Sequence, residues 1–266
     1  MGSWTVRRRA DTVMLGHWVK SGEKMLQRVQ PSTAAKINLY ADGADLQEFA
    51  RLYADGQASG FTTNPTLMRR AGVTDYEGFA KALLECIPDR SISFEVFSDE
   101  FDEMERQALK IASWGENVFV KIPISNSKGE SSLPLVRKLS ASGVKLNVTA
   151  ILTLEQTAGT VEALSPDTPA IISIFAGRIA DTGRDPEPLM RAAVAMAARR
   201  PLAQVLWASI REPLNVYQAA ECGCHIITIT PDIFKKLPME GKDLDQVSLE
   251  TVEMFRTDAV AAGFAL

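Results

Sequence analysis

The sequence predicts an α/β fold, a single (β/α)8 TIM barrel with a basic N-terminal extension and C-terminal helices. Eight short runs rich in β-branched and apolar residues recur along the chain, and segments with helical apolar spacing separate them. The chain's 266 residues also suit one such barrel, which typically takes about 250. No internal boundary, low-complexity tract or solenoid repeat divides it, so residues 36–266 are expected to form the barrel and residues 1–35 the extension. The alternative is an open doubly wound sheet. It is weakened because ADGADLQEF, not a glycine-rich phosphate fingerprint, follows the first run.

The elements follow in order. KINLYAD (36–42) leads into DLQEFARLYADG, where Leu46, Phe49, Leu52 and Tyr53 share one helical face and Gly56 suits a C-terminal cap. SGFTTN (59–64) precedes DYEGFAKALLECI, which spaces Phe79, Leu83 and Ile87 in the same way. SISFEVF (91–97), NVFVKIPI (117–124) and GVKLNVTAIL (143–152) are followed by DEFDEMERQALKIASWG, SLPLVRKLSASG and LEQTAGTVEAL. PAIISIFAG (169–177) and AQVLWASI (203–210) alternate with DPEPLMRAAVAMAARR and EPLNVYQAAECG, and CHIITIT (224–230) is the eighth run. DLDQVSLETVEMFRTDAVAAG predicts one or two terminal helices.

Composition narrows the function classes. A hydrophobic content of 46% and a charged content of 23% are those of an ordinary globular protein, and a net charge of −4 gives no reason to expect nucleic-acid binding. Charge is uneven: Arg7, Arg8, Arg9, Lys20, Lys24 and Arg28 face only Asp11 and Glu23 in residues 1–35, a net +4 that leaves −8 for the rest. That arm reads as a solvated tail, or as a segment that docks on an acidic surface. Cys86, Cys222 and Cys224 make no disulfide framework and point to a reducing cytoplasm; Cys222-Gly-Cys224 lacks the spacing of a zinc knuckle or a redox pair. No apolar run approaches the ~20 residues of a membrane span, so no membrane partner is expected. His17 and His225 are the only histidines, too few for the usual metal centres or a Ser-His-Asp triad, so no metal and no cofactor are expected.

In a barrel of this kind, polar residues at the C-terminal ends of strands face the mouth. Here they are Asp42, Thr63 and Asn64, Glu95, Lys121, Asn147 and Thr149, Arg178, Ser209 and Arg211. Each alone has an ordinary explanation: Asp42 as a helix cap, Asn64-Pro65 as a turn, Glu95 paired with a surface lysine, the arginines in peripheral ion pairs. Their common placement favours a site. Lys121, inside VFVKIPI, either escapes to solvent at a strand end or is buried to become a nucleophile. Partial desolvation favours a neutral amine able to attack a carbonyl and form a Schiff base. Neighbouring carboxylates and Thr149 suit acid–base work, and the arginines suit a phosphate.

At these residues the sequence resembles the transaldolase family. The matching stretches are LYAD (39–42), GFTTNPT (60–66), FEVF (94–97), VFVKIPI (118–124), LNVTAIL (146–152), SIFAGRI (173–179), VLWASIRE (205–212) and ITITPDIF (227–234). The resemblance implies a metal-free, lysine-dependent transfer of a dihydroxyacetone unit from sedoheptulose 7-phosphate or fructose 6-phosphate to an aldose phosphate, as in the pentose phosphate pathway. It further implies that Lys121 forms the Schiff base, that Asp42 moves the proton of the C4 hydroxyl, and that Glu95 and Thr149 hold a proton-shuttling water. Asn64 and Asn147 are implied to hydrogen-bond the dihydroxyacetone hydroxyls, Thr63 and Ser173 to line the same pocket, and Arg178, Ser209 and Arg211 to bind phosphate. Glu95 and Phe175 resemble transaldolases proper, whereas fructose-6-phosphate aldolases carry Gln and Tyr there.

Two positions depart from the pattern: Trp207 stands where a small residue is usual, and Ile210 where Phe is common. Trp207 is read equally well as outer-barrel packing or as a change in acceptor fit. The alternatives are a fructose-6-phosphate aldolase-like or specialised-pathway enzyme, and a non-catalytic barrel that binds sugar phosphates. The family implies a homo-oligomer, a dimer for long members and a decamer for short ones.

Overall fold

Side chains alternate across a strand, so a closed parallel barrel sends every second residue inward and the others into the helical layer. The computed structural model, which describes residues 37–265, has eight parallel strands paired in chain order and closed by β1 against β8. They are β1 (Asn38–Asp42), β2 (Gly60–Thr62), β3 (Ser91–Glu95), β4 (Val118–Pro123), β5 (Leu146–Ile151), β6 (Ala170–Ile174), β7 (Ala203–Trp207) and β8 (Ile226–Ile229). Each predicted run contains one of them. The fold is a (β/α)8 barrel.

Two apolar clusters show the alternation at work. The larger joins outward residues such as Phe61, Phe94, Val120, Val148, Ile172 and Ile227 to helix residues Phe49, Leu83, Met104, Val136 and Met190. The smaller, inside the barrel, holds only Tyr40, Ile171, Leu206, Ala208 and Ile226, with Phe119 and Phe175 packed on it. The rest of the interior is polar: Thr62, Ser93, Lys121, Asn147, Thr149, Ser173 and Thr228 are all buried. Gly60 is what admits Tyr40, because a Cβ there would lie 2.4 Å from the tyrosine ring. Trp207 belongs to the outer cluster at 1% exposure, which settles its two readings in favour of packing.

The helices are α1 (Leu46–Ala54), α2 (Pro65–Arg70), α3 (Tyr76–Cys86), α4 (Phe101–Ala112), α5 (Leu133–Ala141), α6 (Leu154–Ala163), α7 (Ala176–Asp181), α8 (Glu187–Ala197), α9 (Leu214–Glu221), α10 (Pro231–Phe234) and α11 (Leu244–Ala261). Short helices α2, α7 and α10 were not anticipated, and each begins where a predicted strand run was expected to continue or to loop. Pro65 and Pro231 explain two of these starts, since proline's fixed φ suits a first helical turn and its missing N–H ends a ladder. The terminal segment forms one helix, α11, with no buried residue and with Leu244, Leu249, Val252, Met254, Phe255 and Val260 exposed. The basic extension and His17 lie outside the described residues. Among the described residues, no helix is long and apolar enough to cross a membrane.

Candidate active site

Register assembles the floor of the mouth. Glu95, Lys121 and Asn147 are Cα partners across β3, β4 and β5, and Thr149 pairs with Pro123 one step higher. Lys121 is 6% exposed, so its ammonium depends on partners. Its Nζ donates to the carbonyl of Thr63 at 3.0 Å and lies 3.2 Å from Glu95 Oε2. Of the two fates weighed for this lysine, the structure shows the buried one.

Asp42 ends β1 on the same floor, where Thr62 Oγ1 donates to its Oδ1 at 2.7 Å. Burial raises the Asp42 carboxyl above its ordinary value, with the charge of Lys121 and the Thr62 hydrogen bond pulling the other way. A carboxyl held up in this way exchanges protons more readily near neutral pH. Thr149 Oγ1 is buried without a hydrogen-bond partner among the described residues, which leaves it available to a group in the cleft.

Two expected residues occupy different places from those implied. Thr63 does not line the cleft with its side chain: its hydroxyl donates to Ser93 O, and only its carbonyl reaches Lys121. The inward threonine of β2 is Thr62, which shares a face with Gly60 under the two-residue period. Asn147 lies beneath the cleft wall, donating to Ser93 Oγ at 3.0 Å and accepting from Ser173 Oγ at 2.6 Å. Ser173 lines the cleft, and Asn147 orients it. Thr228, also missed, shares a 2.6 Å hydrogen bond with Thr62. Both threonines were legible from parity, Thr62 with Gly60 and Thr228 with Ile226. Asn64 lines the cleft, and its Oδ1 caps α2 by accepting from Leu67 N, so Asn64-Pro65 opens a helix where a turn was expected.

The cleft widens outward to about 480 Å3, lined by Phe175, Arg178, Ser209, Ile210 and Arg211 on one side and by Arg70 of α2 on another. The Arg178 guanidinium stands 5.5 Å over the Phe175 ring. Arg211 forms a bidentate pair with Asp181 and donates to Ser209 O at 2.9 Å. Gly177 makes this corner possible, because a Cβ there would fall 1.5 Å from Ser209 O. Ser209 itself sits at φ 65°, a left-handed conformation that a serine adopts only when its surroundings impose it. Ile210, 9% exposed, reaches the mouth. Arg70 gave no sequence signal, since it stands in a helix that was not anticipated.

A buried amine beside one carboxylate and across from a second, on the floor of a cleft with cationic walls, can form an imine with an anionic carbonyl compound and move protons around it. Comparisons with known proteins point to one family. A family model described as Transaldolase/Fructose-6-phosphate aldolase matches residues 39–266. A protein of Dehalococcoides mccartyi named "Probable transaldolase" is 34% identical over 194 residues, covering 73% of this chain and 86% of its own. One of Listeria monocytogenes named "Probable transaldolase 2" is 35% identical over 213 residues, covering 79% and 93%. A solved structure described as "QR15, an Aldolase" superposes with a TM-score of 0.51 at 14% identity, covering 79% of this chain and 100% of that one, a likeness of fold alone.

Proposed function

The chain belongs to the transaldolase/fructose-6-phosphate aldolase family, and from that membership we propose that it is a transaldolase acting through a Schiff base on Lys121. Its substrates on this reading are sugar phosphates, with sedoheptulose 7-phosphate or fructose 6-phosphate as donor and an aldose phosphate as acceptor. Lys121 passes a proton to Glu95 and attacks the donor's C2 ketone. Glu95 and Thr149, through a water, carry the protons that turn the carbinolamine into an iminium and release hydroxide as water. Asp42 then takes the C4 hydroxyl proton as the C3–C4 bond breaks. The aldose phosphate leaves as an aldehyde, and the bond's electron pair moves onto the iminium as an enamine. Addition of the acceptor aldehyde reverses these steps, and hydrolysis frees Lys121. Asn64 and Ser173 suit the dihydroxyacetone hydroxyls, while Arg178, Ser209 and Arg211 suit the phosphate. No step calls for a metal or a cofactor.

The observation that carries this reading is the Lys121 amine, buried between Glu95 and the Thr63 carbonyl within the field of Asp42. Borohydride trapping tests it. Incubation with fructose 6-phosphate followed by reduction gives a mass increment on the peptide holding Lys121, and none in Lys121→Ala. A folded wild-type protein that traps nothing ends the proposal. A non-catalytic barrel would give that same empty result. An aldolase would turn over without an acceptor. Phe175 favours transfer over aldolase release, because it places no hydroxyl near the imine to protonate the enamine. Phe175→Tyr should therefore release more free dihydroxyacetone from fructose 6-phosphate.

We further propose a homo-oligomer in the cytoplasm, serving the pentose phosphate pathway, with neither nucleic acid nor membrane as partner. In support, α11 exposes a line of apolar side chains that a second copy would cover, and Cys86, Cys222 and Cys224 are free thiols. Light scattering on the purified protein tests the assembly, and a monomeric mass counts against it.

A further inference from the structure

β2 is three residues long, and that leaves its neighbour unfinished. Odd-numbered residues of β3 bond towards β2, as Thr63 N to Ser93 O at 3.1 Å shows, and even-numbered ones towards β4, as Val96 N to Lys121 O at 3.0 Å shows. Continued by two residues, this parallel ladder would give Glu95 N to Thr63 O and Glu95 O to the nitrogen of residue 65. Neither bond forms. Residue 65 is a proline with no N–H to donate, and Glu95 N points to Tyr76 while Lys121 Nζ donates to the Thr63 carbonyl. Both main-chain groups of Glu95 are therefore met from outside β2.

One atom supplies both. Tyr76 Oη donates to Glu95 O at 2.8 Å and accepts from Glu95 N at 2.9 Å. Its position is fixed from two directions. Asp75 caps α3 by accepting from Gly78 N at 2.9 Å, which sets where the helix begins at Tyr76. The ring packs against Phe97 and Trp114 with centroids 5.4 and 6.1 Å away. Burial also raises the phenol well above its ordinary value, so the hydroxyl keeps the proton it donates.

We propose that Tyr76 is a positioning residue, its hydroxyl standing in for the missing end of β2 so that Glu95 stays locked beside the amine that Thr63 O also holds. The proposal rests on the Schiff-base reading above. A carboxylate that must take and return protons at 3.2 Å from a nucleophile depends on its backbone, and an ångström of misplacement costs up to about a hundredfold in rate. Tyr76 touches neither the substrate nor the reacting atoms, so its effect should fall on imine formation and leave binding alone.

The experiment measures the rate of borohydride-trappable adduct on Lys121 with fructose 6-phosphate, together with kcat and KM, in wild type, Tyr76→Phe, Glu95→Gln and the double variant. Tyr76→Phe keeps the ring packing and removes only the hydroxyl. It should lower the trapping rate and kcat about tenfold with KM within about twofold, and cause no further loss when added to Glu95→Gln. Tyr76→Gln, whose amide both donates and accepts, should recover part of the rate. A Tyr76→Phe protein that melts earlier but traps at the wild-type rate overturns the proposal, as does an undiminished loss in the Glu95→Gln background. If Tyr76→Phe does not fold, Trp114→Phe shifts the ring while keeping the hydroxyl, and an unchanged trapping rate there is equally fatal. Wild type that traps nothing defeats the Schiff-base reading itself; wild type that traps as fast as Tyr76→Phe defeats only this one.

Discussion

The barrel wall has two faces with opposite chemistry, separated by one residue of strand parity. On its outer face, Phe61, Phe94, Val120, Ile172 and Ile227 meet helices in an apolar layer that holds the fold together. On its inner face the same strands carry Lys121, Glu95, Asp42, Thr62, Asn147 and Thr149, groups whose burial opposes folding unless they find partners. The contrast teaches where this protein keeps its stability and where it gives some up. Residues that destabilise the inner face are the ones the proposed chemistry would use.

If that division is real, substitutions on the two faces should separate activity from stability. The largest effect belongs to Lys121→Ala, which should abolish transfer by about a thousandfold or more while the protein unfolds no earlier than wild type, as activity assays and thermal melts will show. Phe49→Ala makes the opposite change. The side chain is fully buried and its ring lies 4.9 Å from that of Phe61, so its loss should cost about 3–5 kcal/mol of stability by denaturant titration. The folded fraction should keep its kcat. A large kcat loss in Phe49→Ala would show that the two faces are coupled and break the comparison.

The next largest effect is at the mouth. Arg178→Ala should raise KM for phosphorylated donors about tenfold or more with a smaller change in kcat, as loss of a charge-assisted bond does. Arg211 is already held by Asp181 in a pair whose acid lies below its ordinary value because of that arginine. Asp181→Asn should therefore alter KM through Arg211, and steady-state kinetics that show no change in either variant would move the phosphate site elsewhere.

The smallest effects are in pH dependence, and they differ in sign. The Asp42 carboxyl is raised in the folded protein, so folding favours its protonated form. Stability from this group is present below the unfolded value near 3.8 and is lost as pH rises through the folded one. Asp42→Asn should thus be at least as stable as wild type at neutral pH, though inactive. His225, where the chain enters β8, is lowered by burial, and its Nδ1 accepts from Val205 N at 3.0 Å. Its contribution is full above its ordinary value near 6.5 and is lost as pH falls below that value. Melting temperatures measured between pH 5 and 8 should fall on the acid side, and less so in His225→Asn.

How much of this was legible differs from residue to residue. Lys121 stood out because a lysine inside VFVKIPI contradicts its surroundings, a local conflict visible in seven letters. Thr62 was equally legible from strand parity, yet strand-end position and resemblance both point to the neighbouring Thr63, and a shift of one residue turns a side chain to the other face. Asn147 was placed on the right strand and stands in register with Lys121, but that its amide is taken by Ser93 and Ser173 depends on how β3, β5 and β6 face one another inside the barrel. Arg70 and Tyr76 were not legible at all. Tyr76 reaches Glu95 across 19 residues, and Arg211 reaches Asp181 across 30, with no periodicity linking either pair.

The sequence by itself determined the eight strands, the barrel they close into and the chemical types of residue at its mouth, because apolar period and strand parity act between near neighbours. Tertiary structure alone decided which atom meets which: that Trp207 packs outward, that the Thr63 carbonyl serves Lys121, that Tyr76 completes a strand edge. Those outcomes depend on where separate strands and helices stop relative to one another, and a chain read one residue at a time carries no record of that.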